Sequence, residues 1–166
     1  MDFELVTTKE DIHTLSVTAG EIWREYWPDI IGLDQTEYMI DMFHNEDTLV
    51  RDIHENNYMY WMLYEDGRVV GYTGAHAETD SNKLFISKIY LYACERGKGF
   101  ASCVLRFYED YCQSHGLTSL YLTVNKYNDL AIRTYNAKGF ITIESVVSDI
   151  GQGYVMDDYI MEKKLL

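Results

Sequence analysis

The chain has one proline, Pro28, in 166 residues. Proline is the strongest local breaker of helices and inner strands, so regular elements are expected to run with few forced stops. Cysteine is scarce and odd in number: Cys94, Cys103 and Cys112. Nine residues at about 100° each turn through roughly 900°, which sets Cys103 and Cys112 on opposite sides of a helix. A shared metal face is thereby excluded, and reduced thiols, buried or incidental, are the expected state. The five histidines (His13, His44, His54, His76, His115) form no His-Glu-x-x-His or His-x-His pair. No metal site is expected. No apolar run approaches the roughly 18–20 residues that span a bilayer. The first residues, Met1-Asp2-Phe3-Glu4, lack the basic-then-apolar order of a secretory signal. A cytoplasmic protein is expected. Repeats, low-complexity tracts and Gly/Ser/Pro-rich linkers are missing too, so a single domain over 1–166 is the reading that length favours.

Positive charge is also in short supply: 14 Lys and Arg stand against 27 Asp and Glu, a formal net charge of −13. Such a surface repels phosphate backbones and argues against nucleic-acid binding. It attracts cationic ligands by field focusing, although ordinary solubility would also explain it.

Apolar residues are plentiful at 47%, and 15 tyrosines are among the aromatics. Phe3–Thr7 reads as a short strand. Ile12, Leu15, Ala19, Ile22 and Trp23 recur at helical spacing, giving a helix over Asp11–Tyr26 that Pro28 ends. Further helices fit Gln35–Phe43 and Glu46–Glu55. Tyr58–Tyr64 and Val69–Ala77 flank Glu65-Asp66-Gly67-Arg68, whose Asp-Gly pair suits a type I′ hairpin turn. In the strand Lys83–Tyr92 the apolar parity slips from Leu84 and Ile86 to Ile89 and Leu91, as at a β-bulge or in a strand buried on both faces. Lys98–His115 is an amphipathic helix stopped by Gly116. Leu120–Val124 is a strand, Asn128–Ala137 a helix capped by Asn128, and Phe140–Val147 with Tyr154–Leu165 a closing strand pair. The order β-ααα-βββ-α-β-α-ββ predicts an α/β (α+β) protein with a mixed central sheet flanked by helices.

One segment carries chemistry: Leu91-Tyr92-Ala93-Cys94-Glu95-Arg96-Gly97-Lys98-Gly99-Phe100-Ala101-Ser102. A strand enters a turn with two glycines and two cations, and the turn opens a long helix. Without a Cβ, glycine lets a ligand approach the backbone closely. The first helical turn has unpaired N–H donors and the positive dipole end. Together these suit a diphosphate. A Walker A loop would need Gly-Lys-Ser/Thr, and a dinucleotide fingerprint would need glycine or alanine where Ser102 stands.

Arg96-x-x-Gly99-x-Ala101 resembles the acetyl-CoA signature of the GNAT N-acetyltransferase superfamily, Arg/Gln-x-x-Gly-x-Gly/Ala. Downstream, Asn128-x-x-Ala131-x-x-x-Tyr135-x-x-x-Gly139-Phe140 is similar to that superfamily's second signature. Asn128 and Tyr135 are seven residues apart, nearly two turns, and share a helix face. The resemblance covers roughly Tyr58–Leu165, and the tail resembles bacterial polyamine-acetyltransferase-like members. It implies a mostly antiparallel mixed sheet of about seven strands and acetyl-CoA as cosubstrate. Ile89, Tyr90 and Leu91 would then lie along the pantetheine arm, with a backbone N–H for the thioester oxygen. Arg96, Gly97, Lys98, Gly99, Phe100, Ala101 and Ser102 would hold the diphosphate, with Asn128 and Tyr135 completing the cofactor site. Tyr135 would be the catalytic acid toward the departing thiolate, and no covalent enzyme intermediate would be needed.

The acceptor implied is a primary amine, a small cation such as a polyamine first and a peptide amine second. A non-catalytic acyl-CoA-binding module and an ATP-binding turn remain as rival readings. Trp27, Tyr26, Tyr38, Tyr58 and Tyr60, beside Glu37, Asp41, Glu46 and Asp47, are the expected acceptor region or simply a helix pair packed on a sheet. Leu122-Thr123-Val124 offers no carboxylate where some relatives place a general base. Glu78, His76 and Asp149 are candidates by polarity alone. A homodimer is compatible with the sequence.

Overall fold

The computed structural model describes residues 1–165. Its elements are β1 (Asp2–Leu5), α1 (Lys9–Tyr26), α2 (Pro28–Ile31), α3 (Leu33–Phe43), α4 (Glu46–His54), β2 (Tyr58–Glu65), β3 (Arg68–Glu78) and β4 (Lys83–Leu91). After a 3₁₀ turn at Ala93–Glu95 come α5 (Phe100–His115), β5 (Ser119–Asn125), α6 (Asp129–Ala137), β6 (Ile141–Gly151) and β7 (Tyr154–Lys164). The seven strands form one mixed sheet in the order β1-β2-β3-β4-β5-β7-β6. The pairs β1/β2, β2/β3, β5/β7 and β6/β7 are antiparallel, and β4/β5 is parallel. Parallel neighbours need a crossover, and α5 supplies it.

The chain divides into two compact units, Met1–His76 with Lys88–Val104, and Ala77–Ser87 with the residues from Leu105 onward. In the first, Thr8 caps α1 with a reciprocal capping box to Asp11, and Ile12, Leu15, Ala19, Ile22 and Trp23 form its buried stripe. Each of the large aliphatic side chains Ile12, Leu15 and Ile22 contributes about 1.5–3 kcal/mol on burial. Pro28 ends α1 as expected and also opens a helix that periodicity did not reveal: the one-turn α2, with proline at its first position. The β2–β3 turn has Asp66 at φ 50° and Gly67 at φ 73°, both positive as a type I′ turn requires. Leu63 and Tyr72 are fully buried beneath it.

In the second unit β4 pairs with β5 over Lys83–Ile86 against Ser119–Leu122. Leu84 and Ile86 are its buried positions there, and Leu91, in the stretch of β4 that belongs to the first unit, is buried at the other parity. β5 and β7 run side by side from Ser119↔Lys164 to Asn125↔Asp158. The core holds Leu105, Tyr108 and Cys112 of α5, Leu120 and Leu122 of β5, Phe140, and Met161 of β7. Helix α5 starts two residues later than its apolar stripe implied, because Gly99 takes φ 86°, outside helical space.

Candidate cofactor and acceptor site

The glycine turn has the geometry of an anion cradle. Gly97 and Gly99 lie at φ 76° and 86°, where a side chain is strained. A Cβ built on either would meet nothing within 4 Å, so the space over the backbone is open. The first backbone bond into α5 runs from the N–H of Cys103 to the carbonyl of Gly99, at 3.2 Å. Among the described residues, the amides of Gly97 through Ser102 have no partner. A row of bare donors at the positive end of a 16-residue helix suits a diphosphate. This is the fit expected for the phosphates of acetyl-CoA.

Both cations of the turn have partners within the protein. The Arg96 guanidinium donates to the Leu91 carbonyl at 3.1 Å and lies 4.6 Å from the centre of the Tyr26 ring. It braces the turn against the strand end and α1. Lys98 Nζ sits 2.9 Å from Glu95, whose other oxygen accepts from Arg68 at 2.6 Å. Arg68 and then Lys98 hold the buried Glu95 carboxyl down at about 2. Its stabilising effect is present above the ordinary carboxyl range and lost as pH falls through about 2. Arg68, far away in sequence, joins the turn only in the folded chain.

Ile89, Tyr90 and Leu91 end β4 just ahead of the turn. Tyr90 stacks on Tyr72 at 5.6 Å and touches Trp23 and Trp27 at 5.4 and 6.3 Å. Under it runs a buried polar line: Trp23 Nε1 donates to the Tyr72 hydroxyl at 2.7 Å, and His44 Nε2 lies 3.0 Å from the same oxygen. Burial pushes His44 well below its ordinary value and Tyr72 well above. Lys88, one residue before Ile89, reaches across β3 so that its Nζ lies 3.3 Å from the Tyr60 hydroxyl, itself 3.3 Å from Asp52. Gly74 makes room, since a Cβ there would sit 2.7 Å from Tyr60 Cε1. Burial lowers Lys88 to about 8, against the opposing pull of Asp52.

In the second unit Asn128 is buried and caps α6, its side chain accepting from Ala131 N at 3.3 Å. Tyr135, seven residues further on, is half-buried and meets Phe140 edge-on at 5.7 Å. The turn with the strand end Ile89–Leu91 therefore belongs to one unit, and the Asn128–Tyr135 helix to the other.

Two of the four expected acceptor carboxylates are engaged. Glu37 pairs with Arg24 at 2.7 Å and Glu46 with His13 at 2.6 Å, both at exposed positions. Among the general-base candidates, Glu78 accepts from the Tyr121 hydroxyl and from Ser81. Asp149 is folded into its own hairpin, taking the Gly151 N–H at 2.8 Å, and His76 packs on Tyr58 at 5.2 Å. One carboxylate went unnoticed in the sequence. Asp158 is 5% exposed, lies on β7 opposite Asn125, and has an Oδ1 with no hydrogen-bond partner among the described residues. Its signal was a charge between the apolar Met156 and Ile160, its neighbours on the same face of the strand Tyr154–Lys164. Among the described residues, no helix is long and apolar enough to cross a membrane.

A bare-amide turn opening the crossover helix of a mixed sheet defines a class of acyl-CoA enzyme, and residues 19–140 match the Acetyltransferase (GNAT) family. The chain belongs to that family and is an acetyl-CoA-dependent N-acetyltransferase. It is 26% identical over 155 residues to an uncharacterized N-acetyltransferase from the pepI 3′ region of Lactobacillus delbrueckii subsp. lactis, covering 87% of this chain and 89% of that one. It is 30% identical over 105 residues to the uncharacterized N-acetyltransferase YycN of Bacillus subtilis, covering 61% and 67%. Its fold is similar to that of the PaiA N-acetyltransferase of Thermoplasma acidophilum, crystallised with coenzyme A: TM-score 0.77, 23% identity and 99% of each chain.

Proposed function

We propose that this enzyme transfers the acetyl group of acetyl-CoA directly to the primary amine of a small cationic acceptor, with polyamines the first candidates. The observation that carries acetyl-CoA binding is the row of bare amides from Gly97 to Ser102. The preference for a cation rests on the net charge of −13, which focuses positively charged acceptors toward the surface.

In this reading Gly97, Lys98, Gly99, Phe100, Ala101 and Ser102 bind the diphosphate, while Arg96 holds the turn in shape. Ile89, Tyr90 and Leu91 line the pantetheine arm, and a backbone N–H among them donates to the thioester oxygen as it gains charge. Asn128 fixes the start of α6, and the Tyr135 hydroxyl gives its proton to the departing thiolate. Holding amine and thioester in line supplies up to roughly 7–11 kcal/mol of the barrier reduction. The three free thiols, of which Cys112 is buried, favour a reducing, cytoplasmic setting.

The test is a free-thiol release assay with acetyl-CoA and a panel of amines: spermidine, putrescine, a free amino acid and a peptide with an N-terminal alanine. Turnover highest on the diamine and polyamine is the expected result. Turnover confined to the peptide would redirect the acceptor class. Saturable CoA binding without turnover on any amine would leave only an acyl-CoA-binding module.

A further inference from the structure

We infer that Asp158 is the proton acceptor for the attacking amine, which deepens the acetyl-transfer reading and rests on it. The carboxylate sits on β7, with Asn125 of β5 as its register partner on one side and Val146 of β6 on the other. It is 5% exposed, and its Oδ1 has no hydrogen-bond partner among the described residues. A buried carboxylate oxygen without a donor is costly, and the cost is relieved by a proton or by a cationic N–H. An ammonium acceptor brings both.

The neighbouring charges leave this oxygen available. Lys126 is the cation next to it in space, and its Nζ lies 2.5 Å from Asp157 and 5.5 Å from the centre of the Tyr159 ring. Asp157 and Tyr159 alternate with Asp158 along β7, so that ion pair belongs to the other face of the strand. The opposite face also carries Lys163, which reaches Glu109 of α5 at 2.5 Å. Asp158 therefore projects from the face of β7 turned away from α5, the face it shares with Asn125.

The position is tied rigidly to α6. The Asn125 carbonyl accepts the Asn128 N–H at 2.9 Å, and the Asp157 carbonyl accepts the Lys126 N–H at 3.0 Å. Asp158 is thus fixed on the same frame as Asn128 and Tyr135. The strand before that helix has no carboxylate of its own in Leu122-Thr123-Val124, and β7 contributes one at the next pair along. Burial first, then the Asp157 charge, push Asp158 up to about 6, against the pull of Lys126. It is ionised at neutral pH yet a stronger base than an exposed carboxylate.

The proton balance closes. The ammonium gives one proton to Asp158, and the freed lone pair forms the C–N bond as the C–S bond breaks. The thiolate takes the Tyr135 proton, and the second N–H proton of the new amide returns to Tyr135 through solvent. Asp158 releases its proton to water. One acetyl-CoA and one ammonium become one N-acetyl amine, one CoA thiol and one proton.

The experiment compares the wild-type enzyme with Asp158→Asn from pH 5 to 9.5, on whichever amine the panel selects, with acetyl-CoA affinity measured alongside by calorimetry. The wild type should show an ascending limb in kcat near pH 6. Asp158→Asn should lose that limb, turn over about 10²–10³-fold more slowly at pH 7 and recover toward pH 9.5, where the amine sheds its proton unaided. Its acetyl-CoA Kd should stay within twofold. An unchanged limb and kcat in Asp158→Asn would overturn the assignment, as would a loss of acetyl-CoA affinity parallel to the loss of rate. Failure of the wild type on every amine would instead remove the acetyl-transfer reading itself. Asp158→Glu, which keeps a carboxylate, should retain the limb even where its rate is lowered by misplacement, and absence of the limb there would count against the inference.

Discussion

At the scale of single residues, the proposed mechanism assigns cofactor binding and chemistry to separate positions, which two variants would tell apart. Gly99 stands at φ 86° with open space over it. Gly99→Trp imposes left-handed strain of about 1–3 kcal/mol and drops an indole onto the bare amides. Acetyl-CoA affinity should fall at least 100-fold, read by calorimetry, while the exposed location keeps the fold intact. Tyr135→Phe removes a hydroxyl and little volume at a half-buried position. If that hydroxyl protonates the thiolate, kcat should drop about 10–10³-fold with acetyl-CoA Kd unchanged. Unaltered kcat in steady-state thiol release would strip Tyr135 of the acid role without touching the family. Arg96 places its charge in a bond to Leu91 O and a ring contact with Tyr26.

At the scale of elements, the proposal sets stability against activity on β7. Asp158 has its folded-state value raised from 3.8 to about 6. For a group shifted upward, the stability is fully present below the unfolded value and is lost as pH rises through the folded one. The enzyme should therefore lose up to about 3 kcal/mol between pH 4 and 6 from this residue. Asp158→Asn should raise Tm at pH 7.5, by the equivalent of about 1–2 kcal/mol, and leave it nearly unchanged at pH 4. A Tm difference independent of pH would contradict that account. A more stable yet slower variant is the usual signature of a strained functional group. The 3₁₀ turn before α5 works in the other direction. There Glu95 lies between Arg68 of β3 and Lys98, so these ion pairs order the turn before any ligand arrives.

For the whole molecule the governing quantity is the net charge of −13. Attraction of a cationic acceptor by the summed field is screened over about 8–10 Å at physiological salt. KM for a polyamine should accordingly rise several-fold between 20 and 300 mM NaCl, while kcat stays level. A neutral or anionic amine should show no such rise. Salt-independent KM for spermidine would mean that local contacts, and not the global field, select the acceptor.

Much of the fold was legible in the residues because its signals are local. The Asp66-Gly67 pair dictated a turn, the stripe Val104, Leu105, Tyr108 and Cys112 dictated a helix, and the glycines at 97 and 99 dictated a turn with open backbone. The short α2 escaped notice because one helical turn leaves no period to detect. Tertiary structure alone decided how side chains far apart in sequence are used. It turned Arg96 inward, brought Arg68 to Glu95, laid Tyr60 over Gly74 beside Lys88, and set Asp158 across from Asn125. Sequence patterns report what each segment prefers by itself, whereas charge pairing and the desolvation of a carboxylate depend on neighbours that only strand register and packing supply.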